Sequence, residues 1–321
     1  MKNTFNHPII KRIRELIPPN VNLAEYLINE LSVSRQSAYR KIKGEIPFSF
    51  DQIAALSQKL GFSMDEIAGE ENSSYSLFRL YKNAHTTPEE TFVHMLEQYH
   101  KALIKRISNT DSGIVIIMNR IYFLSGFFFE NLFRFYFYKW VHSTSDVPLD
   151  YRFADVTLSP EIVSLCKKIN ELLPRVSNNT YIVDPDAFYN SLTEIQYYHR
   201  RGLIDEKELS EIKDDLIVMI DNTEKLIRKG MYTETGTTFE YYISALPIES
   251  NGVYLYYNKS RESHLWVYPT NYLYSNDACA CDMHQNWINS LKKYCTLTTL
   301  SNEKLQSDYF KNQREFLNKM L

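Results

Sequence analysis

Residues 22–44 read NLAEYLINELSVSRQSAYRKIKG, and the order of caps and apolar residues in this stretch decides the first domain. Asn22 and Glu25 have the spacing of a capping box, in which Asn accepts from early backbone N–H groups and Glu reaches back. Leu23, Leu27, Ile28 and Leu31 recur at helical spacing and predict a short helix. Ser32-Val33 breaks it. Ser34 is the expected N-cap of the next helix, Arg35 to Lys43, which Gly44 closes in a left-handed conformation. The pattern is helix, tight turn, helix, with Ile28, Leu31, Val33, Ala38 and Ile42 facing inward. Such a turn makes the second helix project, and a projecting helix can enter the major groove of DNA. Arg35, Gln36, Tyr39, Arg40 and Lys43 fall on its solvent side and Lys41 near the edge. Ser34–Lys43 hold four cations and no anion. Arg pairs bidentately with guanine, Gln with adenine, and Lys with phosphate. The N-termini at Asn22 and Ser49 offer backbone N–H groups to further phosphates. The candidate DNA-binding residues are therefore Asn22, Ser34, Arg35, Gln36, Tyr39, Arg40, Lys41, Lys43 and Ser49.

Caps continue on both sides. Pro8, Ile9, Ile10, Ile13, Leu16 and Ile17 predict a preceding helix stopped by Pro18-Pro19. Beyond Pro47, Ser49 and Gln52 form a second capping box, opening a helix with Ile53, Leu56 and Leu60 inward and Gly61 as its stop. Ser63 and Glu66 form a third, opening a last turn with Ile67. The expectation is an all-α, five-helix domain over residues 1–70.

These residues resemble a known family. Leu27-Ile28-x-x-Leu31-Ser32-Val33-Ser34-Arg35, then Arg40, Gly44, Pro47, Ile53, Leu56 and Leu60 to Ile67, are similar to the Cro/phage-repressor (XRE) class of helix–turn–helix domains. Ser32 stands where that class usually has Gly, and Tyr39 where a small residue is common. The resemblance implies DNA binding through the helix that starts at Arg35.

Glu70 to Ser74 reads as a polar linker. Residues 1–70 carry nine Lys and Arg against eight Asp and Glu, so the remainder holds a net charge of −4. An acidic remainder argues against a second general DNA surface. Residues 71–321 are expected to form an α+β domain, mainly helical, with a small antiparallel sheet. Helices are predicted from Thr87, over Pro160–Leu173, from Asp184 through Tyr198, over Asp205–Arg228, Asp282–Tyr294 and Asn302–Met320. Between Ile121 and Trp140, eleven of twenty residues are Phe, Tyr or Trp. Residues 113–142, which contain this run, read as core, helix or buried strand, or as a subunit interface. Strands are predicted over Thr238–Leu246, Val253–Tyr257, His264–Tyr268 and Tyr272–Tyr274, with Asn251-Gly252 as a hairpin turn joining the first two.

The 321 residues suit roughly two domains at about 100–200 residues each. No uncharged stretch in residues 113–141 approaches the roughly 20 residues of a membrane span, and the first residues lack an export signal. Cys279, Cys281, His284 and Cys295 nominally form a zinc set, but CxC is not the usual knuckle spacing, and reduced core cysteines are the expected reading. The metalloprotease HExxH motif is absent, and neither a Gly-rich phosphate loop nor paired catalytic carboxylates stand in a credible context. Alternating rings at Tyr242, Tyr254, Tyr256, His264, Trp266 and Tyr268 are expected to gather on one sheet face, which either packs against helices with its amphipathic rings at the rim or, through Tyr254, Tyr256, His264, Trp266 and Tyr268, lines a ligand pocket.

The expected function is a cytoplasmic, bacterial-type transcriptional regulator, without catalytic residues, metal or cofactor. Its partners would be double-stranded DNA, a second copy in a homodimer, and a small-molecule or protein effector, with no membrane. The alternative is an adaptor whose helix–turn–helix binds protein instead.

Overall fold

In the computed structural model, residues 6–18, 21–64, 67, 76–80, 87–122, 129–267 and 272–321 are described. The chain divides into two units, Met1–Leu77 and Phe78–Leu321.

The first unit contains α1 (Asn6–Leu16), α2 (Leu23–Leu31), α3 (Arg35–Ile42) and α4 (Phe50–Leu60). Their apolar stripes meet in a core of Ile9, Ile13, Leu27, Ala38, Leu56 and Phe62. Asn22 accepts from the N–H groups of Ala24 and Glu25 at 2.9 and 3.3 Å, and Ser34 accepts from Ser37 N at 3.2 Å. Ser49 and Gln52 complete a reciprocal box. Ser32 ends α2 with φ +49°, the left-handed conformation that the short turn demands. The chain between α3 and α4 is anchored by Asn6, which is buried. Its amide donates to Lys41 O and Ile46 O and accepts from Phe48 N. The expected fifth helix depends on Ser63–Ile67, of which Asp65 and Glu66 lie outside the described residues, as do the linker residues 70–74.

The second unit is built on an eight-stranded mixed sheet among the described residues. Its strands are β1 (Arg79–Leu80), β2 (Ser112–Met118), β3 (Asn178–Val183), β4 (Thr238–Ser244), β5 (Gly252–Tyr257), β6 (Ser260–Trp266), β7 (Tyr272–Ser275) and β8 (Cys295–Leu297), in spatial order β1-β7-β6-β5-β2-β3-β4-β8. β2, β3 and β4 run parallel, and all other pairs are antiparallel. Parallel neighbours need crossovers. Helices α6 (Glu130–Thr144) and α7 (Pro160–Leu172) lie between β2 and β3 in the chain, and α8 (Ala187–Arg200) and α9 (Glu206–Lys229) between β3 and β4. With α5 (Pro88–Ile107) and α11 (Glu303–Met320), these helices share one large core with Ile114, Ile116, Tyr181, Phe239, Tyr241 and Leu255 on the sheet. The opposite face, with Val115, Ile117, Ile182 and Tyr254, packs on α10 (Ala278–Lys292) through Cys281 and Ile288. Covering on both faces explains why every residue of β2, SGIVIIM, is buried.

This architecture overturns the expected fold class. The sheet is neither small nor antiparallel; it spans Arg79 to Leu297, and its centre is parallel. Asn251-Gly252 does not join a hairpin, because β2 and β3 lie between β4 and β5. Neither residue has the positive φ that a type I′ turn requires. Asn251 instead accepts from Asn119 N at 2.8 Å, tying the end of β2 to the start of β5. The tight connection is between β5 and β6, with Asn258 at φ +50°. β1, β3 and β8 were not expected. Among its described residues, the segment 113–142 resolves into β2 and α6, and Phe133, Phe135, Phe137, Tyr138 and Trp140 of α6 are buried within the unit. They form core rather than an exposed subunit interface. Among the described residues, no helix is long and apolar enough to cross a membrane.

Candidate functional site

Direction along α3 follows from helical period. Ala38 points into the core and is fully buried, so Arg35, Gln36, Tyr39 and Arg40 turn outward and are exposed. The Arg35 guanidinium carbon lies 5.9 Å from the centroid of the Tyr39 ring, which places a planar cation beside an exposed aromatic. Arg40 Nε donates to Glu45 at 3.2 Å; both partners are about half exposed, so the pair is screened and can open. Lys43 is exposed at the end of the helix. Asn22, Ser34 and Ser49 are exposed N-caps of α2, α3 and α4.

Lys41 is a correction. It is 5% exposed, its amine donates to Pro47 O at 2.7 Å and stands 5.0 Å from the Phe48 ring centroid. Burial lowers its pKa. The side chain holds the α3–α4 connection and is withdrawn from any ligand outside. Periodicity left it at the edge of the helix, and the course of the following loop decided its side.

The ring face also needs correction. Cross-strand partners share a face, and β5 pairs with β6 so that Val253 faces His264 while Tyr254 faces Ser263. His264 and Trp266 therefore share a face with Val253 and Leu255. Tyr254 and Tyr256 lie on the other face with Tyr242, in the core under α10. Tyr268 lies outside the described residues. His264 and Trp266 are joined on their face by Tyr272 and Tyr274 from β7, and all four line a cavity of about 750 Å3. Its other wall is α5, with His94, Tyr99, Lys101 and Lys105. Sequence reasoning missed these α5 and β7 residues. The only signal was a polar stripe on α5 opposite its apolar one, and no local pattern pairs that stripe with a strand.

The cysteine-rich stretch is spread out. Cys279 is exposed, Cys281 is buried with Sγ 3.8 Å from Ser275 O, and Cys295 pairs on β8. Among the described residues, no group of three His, Cys, Asp or Glu is placed to hold a metal ion. His284 Nδ1 lies 2.6 Å from Ser263 Oγ, the spacing of a nucleophile and its base. Both are buried, Ser263 completely, so the pair fastens α10 to β6 and presents no hydroxyl to a substrate. Burial, with His264 nearby, lowers the His284 pKa to about 4 and keeps the ring neutral.

No protein-family model, curated protein or solved structure matches this chain.

Proposed function

We propose that the protein is a sequence-specific DNA-binding transcriptional regulator. The observation that carries this reading is the exposed side of α3. Arg35, Gln36, Tyr39 and Arg40 stand there together, beyond a two-helix turn made on the left-handed backbone of Ser32. Arg supplies paired donors for the guanine edge, and Gln a donor and an acceptor for the adenine edge. The exposed caps of α2 and α4 supply phosphate sites that would fix the register of α3 in the groove. The second unit serves as receptor for an effector, and two chains act as a homodimer on half-sites about one helical turn apart. The reading includes no catalytic step or cofactor and places the protein in the cytoplasm of a bacterial-type cell.

The test is selection of duplexes from a random pool with the purified full chain, followed by anisotropy titrations at several salt concentrations. A selected site should bind with a log–log salt slope set by the number of phosphates contacted. Gln36→Ala and Arg40→Ala should each weaken that site by about 1–3 kcal/mol, and Gln36→Ala should relax its sequence preference. Failure to enrich any duplex, or unchanged binding in both variants, overturns the reading.

A further inference from the structure

We propose that the cavity between α5 and the β5–β6–β7 surface binds a small organic anion with an aromatic body. This gives chemical content to the effector role above and rests on that role only for its regulatory meaning.

The first observation is shape. At about 750 Å3 the cavity falls in the range of small-molecule sites, roughly 300–1,000 Å3. Its floor is set by strand register. Arg79, Tyr274, His264 and Val253 are successive partners across β1, β7, β6 and β5, and Trp266 lies opposite Tyr272 one step along. The floor is therefore a pavement of rings. Trp266 and Tyr272 have centroids 5.5 Å apart, His264 lies 5.1 Å from Tyr274, and Tyr122 meets Trp266 edge-on at 5.1 Å. Flat π-surfaces of this kind stack on planar rings.

The second observation is charge. Among the described residues, the lining includes Arg79, Lys101 and Lys105 but only one carboxylate, Glu262. Glu262 is already engaged from the protein side. The Arg106 guanidinium, fully buried behind it, lies 3.3 Å away, and His264 Nε2 stands 3.7 Å from its other oxygen. Lys101 shares Glu97 at 3.7 Å on the outer surface of α5, and Lys105 pairs with no carboxylate among the described residues. The rim thus carries three cations against one carboxylate that is already engaged, above an apolar, ring-lined interior. A neutral aromatic would leave the rim unused, and a cation would be repelled by it.

The third observation is unanswered polar capacity. The Tyr99 hydroxyl is buried without a hydrogen bond, whereas His264 Nε2 faces Glu262 at 3.7 Å. Buried polar atoms ordinarily have partners, and a bound molecule would supply one here. β1, whose Arg79 and Leu80 line the cavity, is also the first element after the division at Leu77. An occupant would touch the segment through which the chain enters the second unit.

The probe is 8-anilinonaphthalene-1-sulfonate, titrated into the full chain by fluorescence, beside N-phenyl-1-naphthylamine, which has the same rings without the sulfonate. The sulfonate should bind at one per chain and at least tenfold more tightly than the neutral amine. The Lys101→Glu/Lys105→Glu variant, altered at two exposed positions, should lose at least tenfold for the sulfonate and nothing for the amine. Trp266→Ala should weaken both. Charge reversal at exposed lysines outside the lining, Lys207→Glu/Lys311→Glu, should change neither. No saturable binding, equal affinity for the two probes, or indifference to Lys101→Glu/Lys105→Glu overturns the proposal. Duplex selection in the same preparation separates that failure from failure of the DNA-binding reading.

Discussion

At the scale of single residues, the turn between α2 and α3 sits on one strained backbone. Ser32 holds φ +49°, which costs an L-residue roughly 1 kcal/mol relative to glycine. The exposed Ser32 side chain is not what the turn needs; the conformation is. Ser32→Gly should therefore stabilise the first unit by up to about 1 kcal/mol, reduced by the added freedom of glycine in the unfolded chain. Calorimetry of the full chain should show the first unit melting higher, while affinity for a selected duplex stays unchanged. A lower melting temperature would mean that the Ser32 side chain matters more than its backbone.

At the scale of elements, the join between α5 and β6 depends on one buried ion pair. Arg106 is fully buried; its Nη1 donates to Ala102 O at 2.6 Å, its Nη2 lies 3.3 Å from Glu262, and its guanidinium carbon is 5.3 Å from the Tyr257 ring centroid. Burial alone would push the Glu262 carboxyl up, but His264 and Arg106 beside it win and hold its pKa at about 2. Removing Arg106 leaves the largely buried Glu262 carboxylate with only His264 beside it, a loss of up to about 3–5 kcal/mol. Arg106→Met should cost that much in denaturant unfolding. Arg106→Met with Glu262→Gln should recover a large part of it, because no orphan charge remains. Equal losses in the single and double variants would show that packing, not charge, holds the joint.

At the scale of the whole second unit, acid stability should fall in two stages. The His284 pKa lies at about 4 when folded against 6.5 unperturbed, so protons prefer the unfolded chain between those values. Stability from the neutral ring is complete above pH 6.5 and declines as pH falls to 4, by up to about 3 kcal/mol. The depressed Glu262 then acts lower: its contribution is present above pH 4.5 and is lost toward pH 2. Melting curves across pH 7 to 4 should flatten in His284→Gln relative to the parent chain, leaving the decline below pH 4.5 in place. An unchanged slope between pH 6.5 and 4 would assign that limb to other groups, such as His100 and His142, whose pKa values burial also lowers.

What the sequence determined by itself was local. Asn22, Ser34, Ser49 and Thr87 cap helices through bonds that span two or three residues, so their pattern is readable along the chain. The same holds for the outward side of α3, because Ala38 and Leu27 give the helical period an inside. Tertiary structure decided the rest. Lys41 was placed inside by the loop that carries Pro47 past its amine. The centre of the sheet joins β2, β3 and β4, with Ile116, Tyr181 and Tyr241 side by side although far apart in the chain, and no short-range pattern names those neighbours. The ring-lined face shows the consequence most clearly. A strand alternates sides at every residue, so pairing Tyr254 with Ser263 rather than with His264 sent the expected ring cluster to opposite faces. That register is set by long-range packing, and with it the choice of which rings line the cavity.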